Sequence, residues 1–127
     1  MKKACDVNCN CTIFHKDTLD RVEHELHQDE EFDELVSLFK ILNDKSRLKI
    51  LEAIKDERLC VCDLAHLLGI SKSAISHQMK SLKAFDLVES DKEGKMVYYH
   101  LKDQNIRFLI EHGYKHTKGK AYDKKNN

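Results

Sequence analysis

The side chains with the most chemistry in this sequence are five cysteines and one histidine near them. Cys60 and Cys62 form a C-x-C pair; Cys5, Cys9 and Cys11 crowd the first residues and are followed by His15. Thiolate and imidazole are the ligands of soft and borderline metal ions. In a regular helix two residues at C-x-C spacing point about 200° apart and cannot easily share an ion. At a helix start the first residue is still extended, and side chains two apart can face the same way. The preceding Glu57-Arg58-Leu59 places the pair at such a start. A helix N-terminus also favours negative charge, and thiolate is the form of cysteine that ligates metal. The plain alternative is that both are small buried hydrophobes, a common fate of free cysteine. In the N-terminal segment, Cys5–Cys9 and Cys11–His15 have three residues between them, a spacing that puts two ligands on one helical face. The segment is too short to close a zinc knuckle alone, and its own plain reading is a polar tail with incidental cysteines. Joined to Cys60 and Cys62 it would supply two to four further ligands. An all-sulfur set favours cadmium or lead; including His15 moves the preference toward zinc.

The elements that hold Cys60 and Cys62 are legible around them. Leu64, Ala65, Leu67 and Leu68 make an apolar helical stripe that stops at Gly69, a residue suited to the left-handed closing position. Ser71 offers an N-cap oxygen, and a second helix runs through Ala74, Ile75, Met79 and Leu82. Two short helices about a glycine turn are either a plain helical hairpin or a helix-turn-helix. The outward residues of the second helix are Lys72, Ser73, Ser76, His77 and Lys80, with Ser71 at its cap. No acid lies between Gly69 and Ala84, so the helix can approach phosphate without repulsion.

The segment after the second helix separates the alternatives. Residues 87–90 read as a strand, residues 91–94 as its turn and residues 95–101 as the returning strand, rich in sheet-favouring side chains. A helix-turn-helix succeeded directly by a hairpin is a winged helix, and Lys92 and Lys95 on the wing would reach a neighbouring phosphate or minor groove.

With these motifs in order, the chain resembles the ArsR/SmtB metal-responsive repressors. Arg58-Leu59-Cys60-Val61-Cys62-Asp63-Leu64-Ala65 matches their signature helix. Leu42-Asn43-Asp44-Lys45-Ser46-Arg47-Leu48-Lys49-Ile50-Leu51 and Ser76-His77-Gln78-Met79-Lys80-Ser81-Leu82 are similar to other segments of that family. The resemblance covers roughly residues 32–116, and the cysteine-bearing N-terminus narrows it to the cadmium-, lead- and zinc-sensing CadC-like branch. It implies a mainly α (α+β) winged helix-turn-helix with a β-hairpin wing, dimeric through its N- and C-terminal helices.

The remaining chain fits one domain. Its 127 residues are 41% hydrophobic and 35% charged, contain no proline and carry no net formal charge. Binding to nucleic acid must then come from local basic patches, not bulk charge. No apolar run nears the ~20 residues that span a bilayer, and no export signal opens the chain. An odd number of cysteines without such a signal points to a reducing cytoplasm. A helix over residues 16–27 is expected with Asp17 as cap and Leu19, Val22 and Leu26 on one face. Phe32, Leu35, Val36, Leu38, Phe39 and Leu42 form a stripe read as core, as do Leu48, Ile50, Leu51 and Ile54. A last helix opens at residues 103–106 and carries Ile106, Leu109, Ile110 and Tyr114; with the 16–27 helix it is read as a homodimer surface. Two copies suit a palindromic operator. Residues 1–16 are thus a cysteine-rich metal-binding arm, 17–118 the DNA-binding and dimerisation domain, and 119–127 a polar tail, with fraying expected from Lys115.

The resemblance also implies where metal binds. In the CadC-like branch two N-terminal cysteines meet the C-x-C pair, usually across the dimer. Here Cys11 with His15, Cys5 with Cys9, or Cys9 or Cys5 with Cys11 can fill those places. A second zinc site of the family lies on the last helix; Asp103 and His116 match it, but Asn105 and Gly119 stand where ligands should be, so it is read as degenerate, with His112, four residues before His116, a geometric substitute. His24, His27, His66 and His100 are read as surface or packing residues. The function implied is a repressor that leaves double-stranded operator DNA on binding Cd(II), Pb(II) or Zn(II). Arsenite or antimonite sensing through the C-x-C pair, and thiol-redox sensing, are the alternatives. No C-x-x-C, H-E-x-x-H or phosphate-cradling glycine loop is present, so neither catalysis nor a small organic substrate is expected.

Overall fold

The computed structural model describes residues 15–126, with side chains to residue 118. The chain divides into two compact units, residues 1–35 and 36–127.

The first unit holds α1 (Lys16–Glu25) and the start of α2 (Asp29–Leu42). The N-cap of α1 is His15, ahead of the Asp17 that the sequence suggests; Asp17 lies in the first turn, where a carboxylate still meets the positive helix end. No residue of α1 is buried. At the entry to α2, the Gln28 amide donates to Glu31 Oε1 at 3.0 Å, which satisfies one of the orphan N–H groups there. His27 and Phe32 meet edge to face at 6.5 Å between ring centroids.

The second unit runs from α2 through α3 (Lys45–Ala53), β1 (Leu59–Cys60), α4 (Val61–Leu68), α5 (Lys72–Ala84), β2 (Val88–Glu93), β3 (Met96–Leu101) and α6 (Gln104–Asn126). Asp44 separates α2 from α3 by capping it: Oδ1 accepts from the Arg47 amide at 3.0 Å. The core is made by Ile50, Leu51 and Ile54 after the α3 cap, Leu64 of α4, and Ile75, Met79 and Leu82 of α5, all nearly solvent-free. Ile75, Met79 and Leu82 recur at i, i+4 and i+7, so one face of α5 is spent on the core and the other is left outward. Leu87, Val88, Leu101 and Ile106 close the core from the sheet and α6.

The sheet is antiparallel in the order β1-β3-β2. The wing hairpin is longer than the sequence alone indicates: β2 runs to Glu93, and the turn is the two residues Gly94-Lys95, with Gly94 at φ +60°. A positive φ at the first turn residue suits glycine and the twist of a tight hairpin. The short strand β1 pairs Leu59 with Tyr99 and Cys60 with Tyr98, a pairing that no local signal in the sequence announces.

Two further expectations are corrected. Phe32, Leu35, Val36 and Phe39 are not core: all are about half exposed, and only Leu42 of that stripe is buried. The described residues cover only about half of each, although the periodicity reads the same either way. The last helix also runs further than the sequence suggests, since α6 continues to Asn126. Among the described residues no helix is long and apolar enough to cross a membrane.

Candidate nucleic-acid interface and cysteine pair

The turn between α4 and α5 is built as its residues require. Gly69 sits at φ +69°, and its amide bonds the Ala65 carbonyl at 2.9 Å. Ser71 then takes an extended conformation and its hydroxyl accepts from the Ala74 amide at 3.0 Å, starting α5. With Ile75, Met79 and Leu82 turned inward, Ser71, Lys72, Ser73, Ser76, His77 and Lys80 are all exposed. All but Ser71 border an open cleft of about 580 Å³. Two residues that sequence reasoning passed over share it: Lys83 and Tyr99. Tyr99 belongs to β3, so only the folding of the hairpin against α5 brings it there. Lys83 Nζ donates to Ser90 Oγ at 3.0 Å, tying the reading helix to the wing.

The wing carries more acid than its lysines suggest. Glu89, Asp91 and Glu93 alternate along β2 and therefore lie on one face of it. Unpaired, they would repel phosphate. Two of them meet cations, Glu89 with Lys102 at 3.1 Å and Glu93 with Arg58 at 2.6 Å; Asp91 meets His100 Nε2 at 3.2 Å, a contact that offsets its charge only when the imidazole is protonated. Hydrogen bonding to Glu89, and the charges of Asp86 and Glu89, push the Lys102 ammonium up from its ordinary range. Lys92 and Ser90 point to the opposite face by the same alternation. The wing thus sorts its charges by strand parity, and Lys92 and Lys95 remain exposed near its tip.

Cys60 has the conformation that a shared C-x-C site needs. It is the N-cap of α4 at φ −92° and ψ 173°, extended while Cys62 is already helical. Its backbone amide and its thiol Sγ both donate to Asp63 Oδ2, each at 3.2 Å. These bonds, the thiol's first, hold the Asp63 carboxyl below its ordinary range. Cys60 is buried and Cys62 exposed; both are free thiols. The donor types fit a soft ion, but Cys60 could ligate only by giving up its proton and its bond to Asp63. Two thiols are half of a tetrahedral sphere. Among the described residues no three His, Cys, Asp or Glu side chains are placed to hold an ion. Cys5, Cys9 and Cys11 lie outside the described residues; His15 is at the α1 N-cap and exposed.

The residues matching the family's second site do not meet within one chain. Asp103 Oδ1 accepts from the Asn105 amide at 2.9 Å and so serves the start of α6. His116 is exposed thirteen residues on, about 20 Å along a helix at 1.5 Å per residue.

A cation-faced helix, seated by its inner stripe and joined to a charge-sorted hairpin, defines a winged helix-turn-helix protein that binds DNA. The family model "Bacterial regulatory protein, arsR family" matches residues 44–90. The chain is 40% identical over 108 residues to the "Cadmium resistance transcriptional regulatory protein CadC" of Listeria innocua, covering 83% of this chain and 88% of that one. Among solved structures it is similar to reduced HlyU from Vibrio cholerae, with a TM-score of 0.64 and 30% identity over 68% of this chain and 92% of that one. It is also similar to the AntR antimony-specific transcriptional repressor, with a TM-score of 0.69 and 28% identity over 77% of this chain and 89% of that one. The chain belongs to the ArsR/SmtB family, in its CadC-like branch. It is a DNA-binding transcriptional repressor of the metal- and anion-responsive kind, and not an enzyme.

Proposed function

We propose that the protein binds operator DNA as a homodimer, through Ser71, Lys72, Ser73, Ser76, His77 and Lys80 of α5 and Lys92 and Lys95 of the wing. It leaves the operator on binding Cd(II), Pb(II) or Zn(II). The observation that carries this reading is Cys60, extended at the N-cap of α4 with Cys62 already in the helix that packs on α5. Cys60 and Cys62 supply two thiolates, and the arm of residues 1–16 supplies the rest: Cys11 with Cys5 or Cys9, or with His15. Coupling between two such sites is typically ~1–3 kcal/mol. The cadmium-resistance regulators among the relatives support a soft effector. Exposed Val22 of α1 and Leu26 at its C-cap, and a groove of about 740 Å³ between α2 and α6 lined by Val36, Phe39, Leu109 and Tyr114, are the surfaces a second copy would cover. Residues 17–118 form the DNA-binding and dimerisation domain and 119–127 a polar extension; Asp103 and His116 remain as a degenerate site. The protein works in the cytoplasm.

A second reading is favoured by the likeness to the antimony-specific repressor: antimonite or arsenite bound by Cys60, Cys62 and one further thiol.

The test is titration of the reduced full chain with Cd(II), Pb(II), Zn(II) and As(III), monitoring sulfur-to-metal absorption and the anisotropy of a labelled operator obtained by selection. Thiolate bands with Cd(II) or Pb(II) and simultaneous DNA release are expected. C9S/C11S should abolish the cadmium response, whereas a surviving arsenite response would favour the second reading. No change in either signal with any ion would leave a thiol-redox effector, read out by thiol counting after peroxide.

A further inference from the structure

Arg58 immediately precedes the cysteine-bearing strand, yet its guanidinium is committed to the wing. It meets Glu93 Oε1 at 2.6 Å, and its Cζ lies 4.6 Å from the Tyr98 ring centroid. Tyr98 is the residue paired with Cys60 across β1 and β3. Glu93 is the last residue of β2, beside the turn that carries Lys95. One side chain therefore links the approach to β1, the middle of β3 and the end of β2.

We propose that Arg58 is a positioning residue that masks the Glu93 carboxylate while the wing is on DNA, and that displacement of β1 at Cys60 withdraws it and exposes that charge to phosphate. The proposal rests on the metal reading of Cys60 and Cys62 and gives that site a route to the wing as well as to α5. The geometry favours such a role. Arg58 and Glu93 are 42% and 56% exposed, so their pair is weak enough to open in response to a small strand shift, and close enough to the turn to matter electrostatically. Cys60 cannot become a ligand without losing its thiol bond to Asp63, so ligation acts on the residue that pairs β1 with Tyr98 of β3. Glu89 keeps Lys102 and Asp91 keeps its contact with His100, so Glu93 is the acid that loses its hydrogen-bonded partner, while Asp91 loses only the longer-range attraction of Arg58. A planar guanidinium suits the task because it stacks on Tyr98 and bonds the carboxylate at once.

The experiment uses the reduced full chain, the same labelled operator and Cd(II). R58Q should bind metal-free DNA about threefold to tenfold more weakly than wild type, in the range of an exposed ion pair with a cation–π contact. Its Cd(II) absorption titration should be unchanged, and its Cd(II)-induced loss of DNA affinity should shrink by a similar factor. E93Q in the R58Q background should restore metal-free affinity to within about twofold, a rescue that a merely structural role for Arg58 would not produce. E93Q alone should bind DNA as wild type but release it less on Cd(II). Wild-type DNA affinity and full release in R58Q overturn the assignment, as does failure of E93Q to rescue. A wild-type chain that does not respond to Cd(II) overturns the metal reading itself, and the coupling with it.

Discussion

Arg47 Nε donates to Gln78 Oε1 at 2.8 Å, joining the first turn of α3 to the middle of α5, thirty-one residues away. The same guanidinium donates to the Ile41 carbonyl at 3.2 Å, at the end of α2. The reading helix is thus held on its flank by a charge-assisted strut as well as by its core stripe. Removing Arg47 strands both acceptors in a part-buried place, so R47M should lower stability by about 1–3 kcal/mol. Q78A should cost less, since Arg47 keeps Ile41, and should weaken operator binding a few-fold by loosening α5. Denaturant unfolding of R47M, Q78A and the double variant checks the link: the double should cost less than the two singles together, and strict additivity would refute it.

Lys80 is exposed on the outward face of α5, and the absence of acids from Gly69 to Ala84 leaves its charge uncompensated along the helix. K80A should weaken binding about equally on operator and unrelated DNA. The slope of log affinity against log salt should fall by about one if Lys80 neutralises one phosphate. An unchanged slope would place Lys80 off the DNA.

Gly69 adopts φ +69°, and a Cβ built there meets no atom within 4 Å. Any penalty for G69A is therefore conformational and not steric, about 1 kcal/mol from forcing an alanine into the left-handed region. G69N should cost less, since asparagine tolerates that region. Thermal unfolding of the two variants gives the order directly; equal stability of G69A and the parent would contradict it.

The Tyr114 phenol is pushed up from its ordinary range, first by burial and then by the Glu52 carboxylate. A raised pKa means that the folded state holds the proton more tightly. The associated stability is complete below the unfolded value near 10 and is lost as pH rises through the folded value. Stability of the parent should fall above about pH 10 more steeply than that of Y114F, the other alkaline groups being common to both. Covering of the α2–α6 groove by a second copy would enlarge the difference without changing its sign.

The local chemistry of this chain is legible without coordinates. The glycine stop at Gly69, the Ser71 cap, the i, i+4, i+7 stripe of Ile75, Met79 and Leu82 and the alternation of the wing are all short-range signals. They are enough to indicate the winged helix, the outward face of α5 and the extended start at Cys60. Short-range signals say which side of a helix is apolar but not what covers it. Phe32, Leu35, Val36 and Phe39 read as core for that reason, and are half exposed. Only the tertiary structure puts Tyr99 beside the reading helix. It also joins Arg47 to Gln78 and pairs Arg58 with Glu93, contacts between residues 31 and 35 apart in sequence. Nor can spacing alone show that the acids of β2 are partnered, because each partner is supplied by another segment. Secondary structure is written in neighbours, where period and capping act. The charge pairing and the masking of Glu93 are written in distance, and distance is settled only when the sheet and the helices close on one core.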